Sequence, residues 1–251
     1  MLKKTLVVIV CFIMLSSGLM AIPMVFSQNP EPEYGGTLIQ AYPYDVNTLW
    51  SCITPWWSTG KMTYQWSARL FGDGYDWSVI PDICYDMEYS DDWLDITMKV
   101  KDDVFWSDGT QLKAEDIKWD ILFKNVTSSM PPANNLIQAY YKDIDSVEVV
   151  DEFTLILHNK KWISPSVFKY FAGGNVMPRH ILEDLTIQEI YDQQYDLPHL
   201  SIGPFVFEEW KRGEYVSVVA YDNWYGGKWE QNLDTRRPYL DRIVFRYMSD
   251  G

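Results

Sequence analysis

Runs that alternate apolar and polar side chains with the two-residue period of a pleated strand, several of them joined in pairs by short turns, constrain this chain more than any other feature. Asp92 to Val100 puts Leu94, Ile96, Met98 and Val100 on one face, the pattern of a half-buried strand. Ser146 to Val150 and Phe153 to His158 flank Asp151-Glu152, and Pro204 to Trp210 and Tyr215 to Tyr221 flank Lys211-Arg212-Gly213-Glu214. Both arrangements predict antiparallel hairpins. Gly35 to Tyr42 and Leu240 to Met248 predict a first and a last strand. Helical spacing is expected over Lys61 to Phe71, over Ser164 to Phe171, and over Pro178 to Gln193 with Pro178 at a first helical position. A further helix starts at Ala114, with Glu115 and Asp116 against its positive end and Ile117, Ile121 and Leu122 as its buried stripe. Helices mixed with antiparallel hairpins predict a mixed α/β (α+β) body.

Aromatic side chains make up 16% of the chain, with 12 Trp and 17 Tyr, too much large apolar surface for a chain that stays unfolded. The net charge of −14 repels phosphate backbones and argues against a nucleic-acid partner. Lys3 and Lys4 precede an uncharged stretch from Thr5 to Phe26, which reads as a secretory signal with a cut after Ser27. The stretch is also long enough to span a bilayer, so a retained anchor over residues 5–26 is the competing reading. In both cases residues 1–27 lie apart from the folded body, which is expected outside the cell, on its surface or in the periplasm.

The chain has no nucleophile elbow, phosphate loop, dinucleotide fingerprint or zinc-protease motif. His158, His180 and His199 are far apart and beside no ligand-like partner, so no metal and no cofactor is expected. The adjacent acids Asp91-Asp92, Asp102-Asp103 and Glu208-Glu209 diverge in extended chain and suit a solvated face better than an acid/base couple. Cys52 and Cys84, the cysteines of the exported body, can pair as a disulfide or stand as two buried thiols. Asn125-Val126-Thr127 is a glycosylation sequon. Trp50, Trp56 and Trp57 share one loop, where flat side chains either pack or wall a peptide or sugar, whereas Trp93, Trp106 and Trp119 read as packing residues.

Val104-Phe105-Trp106-Ser107-Asp108-Gly109-Thr110-Gln111-Leu112-Lys113-Ala114-Glu115-Asp116-Ile117 resembles the signature of the peptide/nickel-type (family 5) extracellular solute-binding proteins of ABC transporters. Its one departure is Lys113, where the family usually has a Thr or Ser helix cap worth about 1 kcal/mol. Ile202-Gly203-Pro204-Phe205-Val206-Phe207-Glu208-Glu209-Trp210 resembles the family's Gly-Pro-Tyr strand. Tyr221-Asp222-Asn223-Trp224-Tyr225-Gly226-Gly227 resembles its aromatic Gly-Gly segment, with the aromatic order altered. Arg237-Pro238-Tyr239-Leu240-Asp241-Arg242-Ile243-Val244-Phe245 and Gly35-Gly36-Thr37-Leu38 complete the resemblance over essentially the whole exported chain.

The resemblance implies a periplasmic-binding-protein-like type II lobe built from residues 31–71 and 178–251, with residues 72–177 as an inserted small domain. It implies no catalysed reaction. A peptide or other small molecule is bound by closure of two lobes and delivered to a membrane permease, ligand stabilising the closed state in proportion to its preference for it. Members are about twice as long as this chain, so the second lobe is expected to be missing and the sequence a fragment. The loop between first strand and first helix contributes ligand contacts in relatives, which implies Trp57, Thr59, Gly60 and Lys61 as ligand-binding residues, with Trp56 and Tyr64 as aromatic walls. Gly60 lets backbone approach a ligand, Thr59 offers a hydroxyl and Lys61 can meet a carboxylate. The ligand class implied is oligopeptide, with oligosaccharide a second class because of the Trp-rich loop. The competing readings are a secreted carbohydrate-active enzyme and a sensor or adhesion protein without a transporter.

Overall fold

The computed structural model describes residues 33–43, 45–50, 53, 57–73, 79–127, 141–163, 175–226 and 238–248. The signal or anchor segment, the expected helix over residues 164–171, Cys52 and Trp56 lie outside them. Two four-stranded sheets organise the rest. The first joins β1 (Thr37–Tyr42), β8 (Phe205–Lys211), β9 (Tyr215–Ala220) and β10 (Arg242–Tyr247) in the order β1-β10-β9-β8. The second joins β4 (Cys84–Tyr89), β5 (Asp95–Val100), β6 (Ile144–Asp151) and β7 (Thr154–Asn159) in the order β4-β5-β7-β6. A two-stranded ribbon, β2 (Phe71–Asp73) with β3 (Val79–Pro81), runs between them in the chain. Both sheets belong to one compact unit that starts at Tyr34.

Both hairpins form where alternation places them, antiparallel as β6–β7 and β8–β9. Gly213 takes φ +76° in the second turn, a conformation that Lys211 or Glu214 would adopt only with strain. In β5 the residues Ile96, Met98 and Val100 point inward, and on β7 Leu155 and Leu157 meet them. In β10 the buried set is Ile243, Phe245 and Tyr247, packed with Val216 and Val218 of β9 and with Met62 and Trp66. β1 pairs with β10 in parallel, Thr37 opposite Arg242 and Tyr42 opposite Tyr247, so the fourth strand of the first sheet is supplied by a segment far from the other three in sequence.

The long helix α2 (Ala114–Thr127) buries Ile117 and Ile121 against the second sheet and leaves Leu122 half-buried. Its start shows how the missing Thr or Ser cap is offset. Asp116, at the third helical position, reaches back and accepts the Lys113 backbone N–H at 2.8 Å, one half of a capping box. Lys113 also pairs with Glu152 in the β6–β7 turn, a tie that a Thr would not make. The sequon lies in the last turn of this helix, where the Thr127 hydroxyl donates to the Phe123 carbonyl at 2.6 Å.

Two helices differ from expectation. Over residues 61–71 the helix α1 runs from Trp57 to Thr63, and Phe71 already opens β2. Ala68, Leu70 and Phe71 are pulled into the core under the second sheet, and tertiary burial overrides the weak local preference for more helical turns. Residues 178–193 form α3 (Arg179–Leu182) and α4 (Ile187–Asp192) rather than one helix, with Pro178 preceding α3 as its cap residue. Thr186 and Glu189 form a complete capping box, the hydroxyl accepting the Glu189 N–H at 3.2 Å while the carboxylate accepts the Thr186 N–H at 2.8 Å, so a new start is built into the middle of the run.

The two most recognisable sequence blocks touch. Gly109 takes φ +89° in the Ser107–Thr110 turn, and the Asp108 carboxylate accepts the Thr110 N–H at 2.9 Å and faces His180 Nε2 at 2.8 Å. The turn docks on the segment leading into β8, where Ser107 and Ser201 exchange backbone and side-chain hydrogen bonds. A Cβ at Gly203 would lie 2.5 Å from the Ser67 carbonyl oxygen, which is why a glycine stands before Pro204.

Candidate functional site

The chain leaving β1 turns inward before it reaches α1. Val46 and Leu49 enter the core of the first sheet. Trp50 is buried, donates its indole N–H to the Gln194 carbonyl at 3.1 Å, and lies 5.1 Å from the His199 ring, so it packs α4 and the segment after it. Of the loop tryptophans, Trp50 is thereby a packing residue, Trp56 lies outside the described residues, and of Trp57 only the backbone, the first residue of α1, is described.

Thr59 is buried, and its hydroxyl donates to the Thr48 carbonyl at 3.3 Å, pinning α1 to the loop before it. Gly60 and Tyr64 sit one turn apart, with a Cβ at Gly60 falling 3.9 Å from the Tyr64 ring. Tyr64 is 44% exposed and the Arg69 guanidinium lies over its ring at 4.9 Å. The Lys61 side chain lies outside the described set. The structure therefore brings Gly60 and Tyr64 together at the surface beside a cation, Arg69, that periodicity did not single out, and turns Thr59 inward.

Behind α1 runs a buried polar chain. Lys124 of α2 donates to Asp120 at 2.6 Å and to the Asn175 carbonyl at 2.7 Å. Asp120 also accepts the Met177 N–H at 3.2 Å, and burial pushes its carboxyl up while Lys124 opposes that shift. Asn175 Nδ2 donates to Thr63 Oγ1 at 2.9 Å, and Thr63 in turn donates to the Gly60 carbonyl at 3.2 Å. A second chain lies below Arg69. The Arg69 N–H and the Tyr225 hydroxyl donate to the two oxygens of Asp82, at 3.1 and 2.6 Å, and Lys101 covers the Tyr225 ring at 4.9 Å. Only the i,i+4 spacing of Asp120 and Lys124 could have flagged the first chain from sequence, and that spacing is common on solvated helices.

The other titratable groups serve local structure. His158 lies between Asp95, 2.8 Å from Nδ1, and Glu148, 3.4 Å from Nε2, and the hydrogen bond to Asp95 raises its pKa. Glu208 accepts from Arg242 at 2.7 Å and from Ser217 at 2.8 Å, while Glu209 accepts from Tyr215 at 2.6 Å. Cys84 is a free, fully buried thiol whose pKa burial pushes up strongly, and Cys52 lies outside the described residues. Among the described residues no three His, Cys, Asp or Glu side chains converge to hold a metal ion, and no helix is long and apolar enough to cross a membrane.

This arrangement of sheets and helices is that of a solute-binding-protein lobe. The structure of the oligopeptide-binding protein AppA of Bacillus subtilis with a nonapeptide superposes with a TM-score of 0.75 at 20% identity, over 87% of this chain and 41% of that one. The family described as bacterial extracellular solute-binding proteins, family 5 Middle, matches residues 78–251, and the chain belongs to it. In sequence it is 25% identical to AppA of Bacillus subtilis strain 168 over 165 residues, 64% of this chain and 27% of AppA. It is 26% identical to the glutathione-binding protein GsiB of Salmonella typhimurium over 240 residues, 94% of this chain and 41% of GsiB. The chain thus spans less than half the length of the curated relatives it matches.

Proposed function

We propose that this chain supplies the first-lobe half of a substrate-binding protein that captures peptides outside the cell and delivers them to an ABC-transporter permease. The observation that carries the reading is the family match over residues 78–251 together with the superposition on a peptide-bound relative. Residues 31–71 and 178–251 make up the lobe, corresponding to the first sheet, and residues 72–177 the inserted small domain, corresponding to the second sheet and α2. Ligand meets the connection from β1 to α1, where Trp56, Trp57, Gly60, Lys61 and Tyr64 are the contacts and Thr59 lies buried behind them. Within it Thr59 acts by shaping the loop, and Tyr64 with Arg69 offers a stacking and cationic surface suited to a peptide carbonyl or carboxylate. Peptide is favoured over oligosaccharide because Trp50, one of three flat side chains of the loop, is committed to the core. Segment 5–26 directs export and is either removed or kept as a tether. The protein binds and releases its ligand unchanged, and the transporter consumes the ATP.

The test is an NMR titration of the protein with glutathione and with a nonapeptide up to millimolar concentration, a range in which one lobe's weak affinity is visible. Shifts clustered on residues 57–64 and Arg69 are expected. Shifts confined to other surfaces, or none at all, would sink the assignment.

A further inference from the structure

Between the end of α1 and the segments around Asn175 and His199 lies a cavity of about 40 Å³ walled by Trp50, Trp66 and Trp106. Thr63, Asn175 and His199 are among the residues that line it. Asn175 is only 6% exposed, and the orientation of its amide is fixed by hydrogen-bond direction. The Thr63 hydroxyl gives its single proton to the Gly60 carbonyl, so toward Asn175 it can only accept, which makes the group facing it Nδ2. Asn175 Oδ1 is left buried without a partner.

His199 Nε2 is the second such atom. Its ring is held by Trp50 at 5.1 Å and Phe207 at 4.8 Å, and burial lowers its pKa to about 4, so near neutral pH it is an uncharged imidazole. Each buried polar atom without a protein partner has lost its hydrogen bonds to water with nothing in return, a standing cost to the folded state. A cavity needs only about 10–15 Å³ to hold a water, and this one exceeds that while offering the polar partners that apolar voids lack.

We propose that this cavity is a binding site for a neutral hydrogen-bond donor of water's size, occupied by ordered water that donates to Asn175 Oδ1 and bonds His199 Nε2. The water joins the segments that carry Thr63, Asn175 and His199, and so fixes from behind the same Asn175 that holds α1 through Thr63. The inference rests on packing and hydrogen-bond direction and stands whether or not the protein binds peptide.

Crystals of the protein and of His199→Phe, grown without ammonium salts at a resolution that shows ordered water, decide it. A peak within hydrogen-bond distance of both atoms in the native protein, lost or displaced in the variant, is expected. A native cavity without density, or a water unchanged by His199→Phe, overturns the proposal. If the variant does not crystallise, its melting temperature gives the sign. A bridged cavity predicts a fall of roughly 3–6 °C, because Asn175 loses its indirect partner. An unbridged imidazole predicts no change or a rise, since an apolar ring then replaces an unpaired polar one. If His199→Phe does not fold, the native density alone decides.

Discussion

Ser107 and Ser201 hold each other reciprocally across 94 residues of chain: the Ser107 N–H donates to the Ser201 carbonyl at 2.7 Å, and the Ser201 N–H donates to the Ser107 hydroxyl at 3.0 Å. The Ser201 hydroxyl then accepts the Phe207 N–H at 2.8 Å, so the turn before α2 is wired to the first strand of the second hairpin. The two sequence blocks that most clearly mark the family are thus two sides of one joint.

That joint predicts the effect of Ser107→Ala. The change removes the acceptor of a buried Ser201 N–H and should cost about 1–3 kcal/mol, whereas Ser107→Thr, which keeps the hydroxyl, should cost less. Urea unfolding midpoints measure both, and equal losses would show that the hydroxyl is not what matters.

The Asp120–Lys124 pair predicts a larger and asymmetric effect. Both side chains are about 95% buried, at 5% and 4% exposure, so Lys124→Met strands a carboxylate in the core and should destabilise by about 3–5 kcal/mol. Changing Asp120→Leu in the same protein removes the stranded charge and should recover part of that loss, although the Met177 N–H then goes unpaired. Denaturant unfolding of the single and double variants decides. A double variant less stable than the sum of the two single changes would contradict this account.

Lys113→Thr should raise stability by up to about 1 kcal/mol, because the new hydroxyl can cap α2 while Asp116 keeps its bond to the residue-113 N–H. Loss of the exposed pair with Glu152 subtracts little. Thermal melting is the measurement, and a clear fall would mean that the Lys113–Glu152 tie matters more than the cap.

His158 predicts a pH dependence. Its folded pKa lies above the usual 6.5, through the hydrogen bonds and charges of Asp95 on β5 and Glu148 on β6, so the folded state holds the proton more tightly than the unfolded one. The stabilisation is therefore complete below about pH 6.5 and is lost as pH rises through the folded pKa. His158→Gln should flatten the decline in unfolding free energy on the alkaline side of neutrality, and an NMR titration of the imidazole should give a midpoint above 6.5. A midpoint at or below that value would refute the arrangement.

Much of this fold follows from local pattern. The alternation in β5 predicted that Ile96, Met98 and Val100 face inward, and Gly109 and Gly213 stand where left-handed turns require them. Residues 61–71 and 178–193 depart from their helical spacing for one reason. Helical spacing records only that apolar residues recur, while Phe71 is claimed by the second sheet's core, and Thr186 with Glu189 restarts a helix that periodicity alone would run through. The candidate site was legible as a stretch of chain but not as a set of orientations. Thr59 faces the Thr48 carbonyl and Tyr64 faces solvent under Arg69, a difference set by rotation about the axis of α1 and by what packs against each side.

By itself the sequence determined β1 and β5 to β10, the hairpin turns, the start of α2 and membership of the family, because each depends on near neighbours in the chain or on a motif that spells out a turn, whereas β2, β3 and β4 emerged only in the structure. Only the tertiary structure decided that β1 lies parallel to β10, that Ser107 meets Ser201, and that Lys124 reaches the Asn175 carbonyl. Those contacts join residues far apart in sequence, and their partners are chosen by burial and by the need to pair every polar group taken from water, conditions that exist only once the chain has closed on itself.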